Sequence, residues 1–508
     1  MRIKRTLSAI LSGLIIGTFC SYAQLSINYR GEFQAISGKG DFAPYYIASN
    51  NFGTVTQTTT ALMRGSLWHD METDGRWSFG FGADMIFDYA SATDYLRYNL
   101  PQKSWDSHAL RPSWAWLQQL YVETRYRSVF LTAGLKEVGS ALLNDKLSSG
   151  DLTWSANARP MPGLRIGFYD FVDIPFTNGW VQINGNFFFG KPTDNDWLKS
   201  HYNYYNAFIT TGRWVNYKRC YFRTNPSMPL SVTVGMQAAA QFSGRQRYYI
   251  NGELEFEQDS PLRLKDFFDM MFPHGGDNFY SGNHLGSWDM LARYELASGG
   301  IVKAYFQWPW EDGSGIGKLN GFDGLWGIEF QSPRKGIINN VVIEYLDFTN
   351  QSGPLHWAPG DNPGTTIPGQ ATGADSYYNN YFYNGYAYYG MSQGTPMLKS
   401  PLYNTDGYLR YTDTRMRGFH LALSGSINGN IDYRAMVSYR KSWGDPFIPS
   451  LSTAHTTSFM VEAVGSHPSL PNWNIKAQIA ADRGNLYGNT WGVGMSVTYK
   501  GSFNINRK

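Results

Sequence analysis

Between residues 75 and 90 the chain reads GRWSFGFGADMIFDYA, with Trp77, Phe79, Phe81, Ala83, Met85, Phe87 and Tyr89 alternating with mostly small or polar residues. A strand points successive side chains to opposite faces, so one face of this stretch seeks an apolar medium while the other tolerates water. The pattern returns along the whole chain. Leu25, Ile27, Tyr29, Gly31, Phe33 and Ala35 alternate with Ser26, Asn28, Arg30, Glu32 and Gln34. Residues 114–127 set Trp116, Leu120, Val122 and Tyr126 opposite Gln119, Glu123, Arg125 and Arg127. Val181, Ile183, Phe187 and Phe189 form another apolar face, as do the even residues from Leu230 to Phe242 and from Trp288 to Leu296. After strands near 301–310, 324–331 and 339–348, the alternation closes with Phe419–Ile427, Ile431–Tyr439, His455–Ala463, Trp473–Ala481 and Trp491–Tyr499. The spacing predicts an all-β fold: a transmembrane antiparallel β-barrel of about 18 strands, an even number that leaves no free edge.

Breaks in the rhythm mark loops at 91–113 and 191–205 and three larger inserts near 138–162, 243–286 and 350–412. Within the second insert, Ser260 suits an N-cap and Pro261 the first helical position. Leu262, Leu264, Phe267, Phe268 and Met271 then trace one apolar side, predicting a short helix over 261–272 inside the lumen or against one mouth. A barrel of this size holds water unless something fills it, and this helix and the inserts are the expected fillers.

Composition strengthens the barrel reading. Aromatic residues reach 16% and charged residues only 16%, against a usual charged share of about a quarter. Residues 1–23 have the form of a cleaved export signal: Arg2, Lys4 and Arg5, an apolar run from Leu7 to Phe19, then Ser21-Tyr22-Ala23. These three cations account for the surplus of 43 basic over 40 acidic residues, so residues 24–508, read as one barrel domain, are formally neutral and give no reason to expect nucleic acid. Cys220 is the single cysteine after the leader, and no segment is long and apolar enough for a membrane helix. Export without such a helix places the chain in the outer membrane, in contact with its lipid.

No nucleophile, phosphate-loop or metal-ligand spacing occurs, so neither a catalytic residue, a metal nor a cofactor is expected. His274, Asp277, Ser281 and His284 share one insert and contain the residue types of a hydrolytic site, without a spacing that specifies one. Residues 377–389, YYNNYFYNGYAYY, are more suggestive. Tyr377, Tyr378, Tyr381, Tyr383, Tyr386 and Tyr388, with Trp357 upstream, suit a glycan: rings stack on sugar faces while phenols and Asn amides meet hydroxyls. The same rings also suit packing against the rim or an interfacial girdle, and both readings stand. KLSSGDLTWSANARPMP at 146–162 is expected to be structural: Ser149, Gly150, Ser155 and Asn157 supply turns, and Pro160 and Pro162 hold the chain extended.

SGDLTWSANARPMPGLRIG at 149–167, LYVETRYRSVFLTAGLKE at 120–137, VGMQAAAQFSG at 234–244, DFFDMMFPHGGDNFYSGNHLGSWDMLARYEL at 266–296 and GYAYYGMSQGTP at 385–396 resemble the Wzi-type capsule assembly family of outer-membrane proteins. The resemblance implies a plugged 18-stranded barrel, non-enzymatic and lectin-like, that holds capsular or other surface polysaccharide at the cell surface. The capsule export machinery is a further candidate partner. The chain departs from the family in two places: no N-terminal helical bundle is evident, and it ends NINRK beyond Tyr499. The alternative function is a porin or substrate-specific channel.

Overall fold

The alternation at 75–90 is a strand, Trp77–Ala90, in a computed structural model that describes residues 24–72, 75–272, 279–311, 321–351, 356–357, 371–372 and 376–506. The barrel strands begin with β1 (Gln24–Lys39), β2 (Thr60–His69), β3 (Trp77–Ala90), β4 (Ala115–Tyr126), β5 (Val129–Leu135) and β6 (Gly163–Phe168, resumed at Val172–Asp173). They continue as β7 (Val181–Gly190), β8 (Trp214–Thr224), β9 (Leu230–Phe242), β10 (Asn283–Glu295), β11 (Ile301–Glu311) and β12 (Gly324–Gln331). The last six are β13 (Asn340–Asp347), β14 (Met416–Ile427), β15 (Ile431–Gly444), β16 (Pro449–His467), β17 (Leu470–Gly484) and β18 (Thr490–Asn506). The sheet counts 19 ladder segments, and the two pieces of β6 both pair with β7, which makes eighteen strands. Each strand pairs antiparallel with its chain neighbours, and β18 closes on β1 from Gln24↔Asn506 to Lys39↔Trp491. Asn504, Ile505 and Asn506 of the NINRK end therefore belong to the closing strand.

Outward positions are apolar and bare, as at Met63, Leu67, Phe87, Leu120 and Val122, which is the surface a hydrocarbon layer accepts. Rings collect at both ends of the band. Trp77 meets Tyr126, and Trp473 meets Tyr499, at the short-turn rim, while Phe87 meets Trp114 at the other. The inward face is polar and paired: Asp84, 2% exposed, binds Arg30 at 3.0 Å and Arg64 at 2.6 Å.

One inference from alternation fails at a bulge. Asp84 pairs with Gln119 but Met85 pairs with Leu117, so Gln118 is an extra residue in β4. The bulge sends Leu117 outward and brings Trp116 inward, where its Nε1 donates to Gln118 at 2.8 Å. Trp116 therefore does not share the lipid face of Leu120.

Long connections gather at one rim and short turns at the other. The segment 91–113, expected as a plain loop, contains the hairpin Thr93–Asn99/Ser104–Leu110, and 191–205 contains the helix Asn195–His201. Residues 244–260 form a second hairpin that extends over Ala207–Thr211. We label the helices α1 (Tyr45–Ala48), α2 (Asn195–His201) and α3 (Leu264–Asp269). The helix expected over 261–272 is α3, shorter than expected and outside the barrel. Phe267 packs on Phe189, Trp214 and Phe242, outward residues of β7, β8 and β9. Met270 covers Lys218 on the same face and accepts its Nζ at 2.7 Å, because an ammonium on an apolar wall needs an acceptor. The short helix inside the lumen is α1, from a connection whose filling role the alternation did not reveal.

Candidate functional site

Three segments fill the lumen: 41–58 with α1, 138–162, and 376–414. The middle one is the SGDLTWSANARPMP motif, and its anchor is Asp151, which is fully buried. One carboxylate oxygen accepts the backbone N–H groups of Thr153 (2.9 Å) and Trp154 (3.2 Å), an Asx turn. The carboxylate also accepts Ser140, Gln237 of β9 and Gln307 of β11. Glu344 of β13 does the same from the wall, accepting Ser148 Oγ at 2.7 Å, Ser149 N at 2.6 Å and Tyr305 OH at 2.6 Å. A buried carboxylate persists where donors surround it, so these two pin the loop to the wall. Gly150 has φ +109 and a Cβ there would sit 2.6 Å from Pro396 Cδ, so only glycine fits. Ser155 Oγ donates to Gly394 O at 2.7 Å and Asn157 Nδ2 to Ser392 O at 2.9 Å, joining this loop to the third segment. Pro160 is buried beside them and Pro162 leads into β6.

Two strands on from Glu344, Arg440 of β15, fully buried, lies 3.7 Å over the Tyr45 ring and 4.7 Å from that of Tyr487, and donates to Ser458 Oγ at 2.7 Å. His420 joins two plug segments. Its Nε2 faces the Leu147 carbonyl at 2.7 Å and must be the protonated nitrogen, so Nδ1 accepts the Tyr46 hydroxyl at 2.8 Å.

Of the tyrosines expected to meet a glycan, Tyr377, Tyr378, Tyr383, Tyr386 and Tyr388 are at most 1% exposed. Their hydroxyls bond within the protein: Tyr377 to Gly286 O, Tyr378 to Leu152 O, Tyr383 to Phe279 O, Tyr386 to Thr153 O and Tyr388 to Thr193 Oγ1. They pack the plug, and their ring faces do not reach solvent. Tyr381 is 74% exposed beside Phe447. Trp357 lies in a two-residue bridge with Ala371, its side chain outside the described residues. Of the four residues considered for hydrolysis, His274 and Asp277 lie outside the described residues, while His284 is buried on the outer face of β10. Among the described residues no group of three His, Cys, Asp or Glu is placed to hold a metal ion.

Above the plug a cleft of about 450 Å³ opens between α2, residues 110–113, the 53–57 turn and Tyr389. Trp197, partly buried, stacks on His201 with ring centroids 3.9 Å apart. Thr193, Gln57 and Ser200 add hydroxyls and an amide, and Arg111 and Arg159 add charge. Arg159 lies 4.0 Å from the Trp116 ring and 4.8 Å from the Tyr389 ring. Its Nε donates to Gly53 O at 3.4 Å. Gly53 has φ +62 and a Cβ would come 2.8 Å from Arg159 Cγ, so glycine is required for this approach. Burial lowers the Arg159 pKa from its ordinary value. Burial also pushes His201 down to about 4, with His108 and Arg97 adding repulsion against the favourable bond to Trp197 O. The cleft thus combines stacking rings, neutral donors and two guanidiniums. The residues that build it lie in segments that alternation reads only as loops, and Trp116 is hidden by the bulge.

A second cavity of about 280 Å³ lies below the plug, lined by Met71, Phe130 and Tyr169 from the short-turn end. A gap of about 10 Å³ separates the two, room for about one water. Arg159 lines the cleft and the gap, while Trp154 and Met161 line the gap and the lower cavity. The ARPMP turn is the partition.

No family model matches the chain, and no curated protein does. Among solved structures the fold is similar to that of Wzi, an outer membrane protein involved in group 1 capsule assembly in Escherichia coli and described as a carbohydrate binding β-barrel. The identity is 12%, with 94% of this chain and 84% of that one covered, at a TM-score of 0.56. OccK5 (OpdH) of Pseudomonas aeruginosa aligns at 8% identity over 94% of this chain and 98% of that one, TM-score 0.46. OprD of the same organism gives 10%, 94% and 95%, TM-score 0.43. At these identities the likeness is one of architecture, and the chain is a closed 18-stranded antiparallel barrel of the outer-membrane kind.

Proposed function

We propose that this chain is a non-enzymatic, lectin-like barrel of the outer membrane, exported through the leader at 1–23, that binds or anchors surface polysaccharide during capsule assembly. The observation that carries the reading is the cleft at the long-loop mouth, where Trp197 and Tyr389 stand among the hydroxyls and amide of Thr193, Ser200 and Gln57. Such a surface suits weak, repeated contacts with a polymer, and many weak contacts on one chain add up. Long loops of such barrels face the cell exterior, where capsule lies. The likeness to Wzi, described as carbohydrate binding, points the same way. The capsule export machinery would then be a neighbour. A second reading, a substrate-specific channel, rests on the row of voids across the plug.

The test is titration of the purified barrel with capsular polysaccharide, comparing the parent with Trp197→Ala/Tyr389→Ala. Each lost stacking ring costs about 1 kcal/mol, so the double variant should bind at least tenfold more weakly while running as an intact heat-modifiable barrel. Equal affinity in the two proteins would remove the cleft from the reading.

A further inference from the structure

The cavity below the plug contains charges that the cleft and the plug do not use. Its two carboxylates are already paired: Glu123 accepts Lys136 Nζ at 2.5 Å and Thr132 Oγ1 at 3.2 Å, and Glu137 accepts Arg64 Nη2 at 2.7 Å and Gln118 Nε2 at 2.9 Å. Arg165 of β6 and Arg219 of β8 line the same cavity and have no carboxylate partner among the described residues. Arg165 is 7% exposed; it donates to Asn186 Oδ1 at 3.2 Å and lies 4.7 Å from the Phe188 ring and 5.3 Å from that of Trp154. Arg219 donates only weakly, to Asn184 Oδ1 at 3.4 Å, and its buried Nε finds no acceptor.

Two guanidiniums facing one cavity without a counter-charge are costly, and their forked donors match a carboxylate. Trp154, Phe130 and Tyr169 add flat apolar walls to a lining that also contains Met71, Met161, Thr132 and Asn186. At about 280 Å³ the space lies at the small end of ligand sites and admits one sugar ring.

We infer that this cavity is a binding site for a carboxylate-bearing sugar unit, a uronic acid residue, entering from the short-turn mouth. Arg165 and Arg219 hold the carboxylate and the rings cover the sugar face. The site is separate from the cleft and stands whether or not the cleft binds glycan. A uronate-containing polymer could be engaged on both sides of the plug, and this would place the protein in contact with its ligand before that ligand reaches the cell exterior.

The experiment is calorimetric titration of the full chain in detergent with glucuronate, glucose and acetate, using the parent, Arg219→Gln, Arg219→Lys and Trp197→Ala/Tyr389→Ala. Glucuronate should bind at least tenfold more tightly than glucose or acetate. Arg219→Gln should lose at least tenfold, Arg219→Lys should recover part of that loss, and the cleft variant should match the parent. Arg219 carries the test because it makes fewer packing contacts than Arg165. Glucuronate affinity unchanged by Arg219→Gln would overturn the site, as would glucose binding equally well. Acetate matching glucuronate would overturn the sugar assignment. Loss in the cleft variant alone would move the binding to the cleft.

Discussion

At the scale of single residues, the decisive feature is how the lumen treats charge. Asp151 and Glu344 are buried anions saturated with donors, whereas Arg159, half-buried, and Arg440, fully buried, are cations held mainly on ring faces. His201 is a group whose protonation state the packing fixes. It stacks on Trp197, meets the Tyr95 ring at 4.7 Å, and its folded pKa is about 4. An unfolded histidine titrates near 6.5, so between about pH 4 and 6.5 the unfolded segment takes up more protons than the folded one. Stability contributed by neutral His201 is therefore complete above pH 6.5 and lost as pH falls toward 4, by at most roughly 3 kcal/mol. Amide exchange across 195–203, corrected for intrinsic rates, should accelerate over that window in the parent and stay level in His201→Phe. An equal acid response in both would assign it to other groups.

At the scale of elements, the wall was legible and the inserts were not. Strand alternation depends on two local facts, the pleat and the medium on each side, so β3 and its Asp84 are assigned from sequence alone. It fails where one extra residue enters, because a bulge leaves no compositional mark, and so the alternation puts Trp116 on the face of Leu120 when it turns inward. The plug depends on contacts far apart in the chain: Tyr378 bonds Leu152 across 226 residues, and no local pattern encodes such a partner. The tyrosines of 377–388 had the composition of a glycan surface; only tertiary burial separates Tyr381 from the rest. For α3 the apolar periodicity was readable and its side of the wall was not. Leu264 is 77% and Phe268 63% exposed beside the apolar band, the arrangement of a helix lying at a membrane interface. Leu264→Gln/Phe268→Gln should release it, since each side chain is worth about 2 kcal/mol when buried in lipid. In liposomes, amide exchange over 262–272 should quicken several-fold in the variant and not elsewhere. In detergent-free amphipol, where no bilayer interface exists, the difference should shrink.

At the scale of the whole molecule, a barrel of eighteen strands is wide enough to conduct water and ions when nothing fills it. Here three connections from one rim fold back into it, and a gap of about 10 Å³ remains across the partition. The wall and the plug are held by different forces. The wall has a closed ladder that no plug residue completes, whereas the plug is attached through side chains, with Asp151 and Glu344 as its charged anchors. Replacing both by leucine leaves the donors of Ser140, Thr153, Trp154, Ser148, Ser149, Gln307 and Tyr305 without their acceptors, at about 1–3 kcal/mol for each donor that stays buried and unpaired. Water entering to satisfy them would loosen the plug while the ladder stays closed. In planar bilayers the parent should give no steady open-pore current, and Asp151→Leu/Glu344→Leu should give flickering steps from a barrel that still shifts on heating in gels. Steady current through the parent would favour the channel reading over the plugged lectin. A silent variant would assign the seal to the packed tyrosine rings, and the carboxylates would then be adjuncts of the plug, not its anchors.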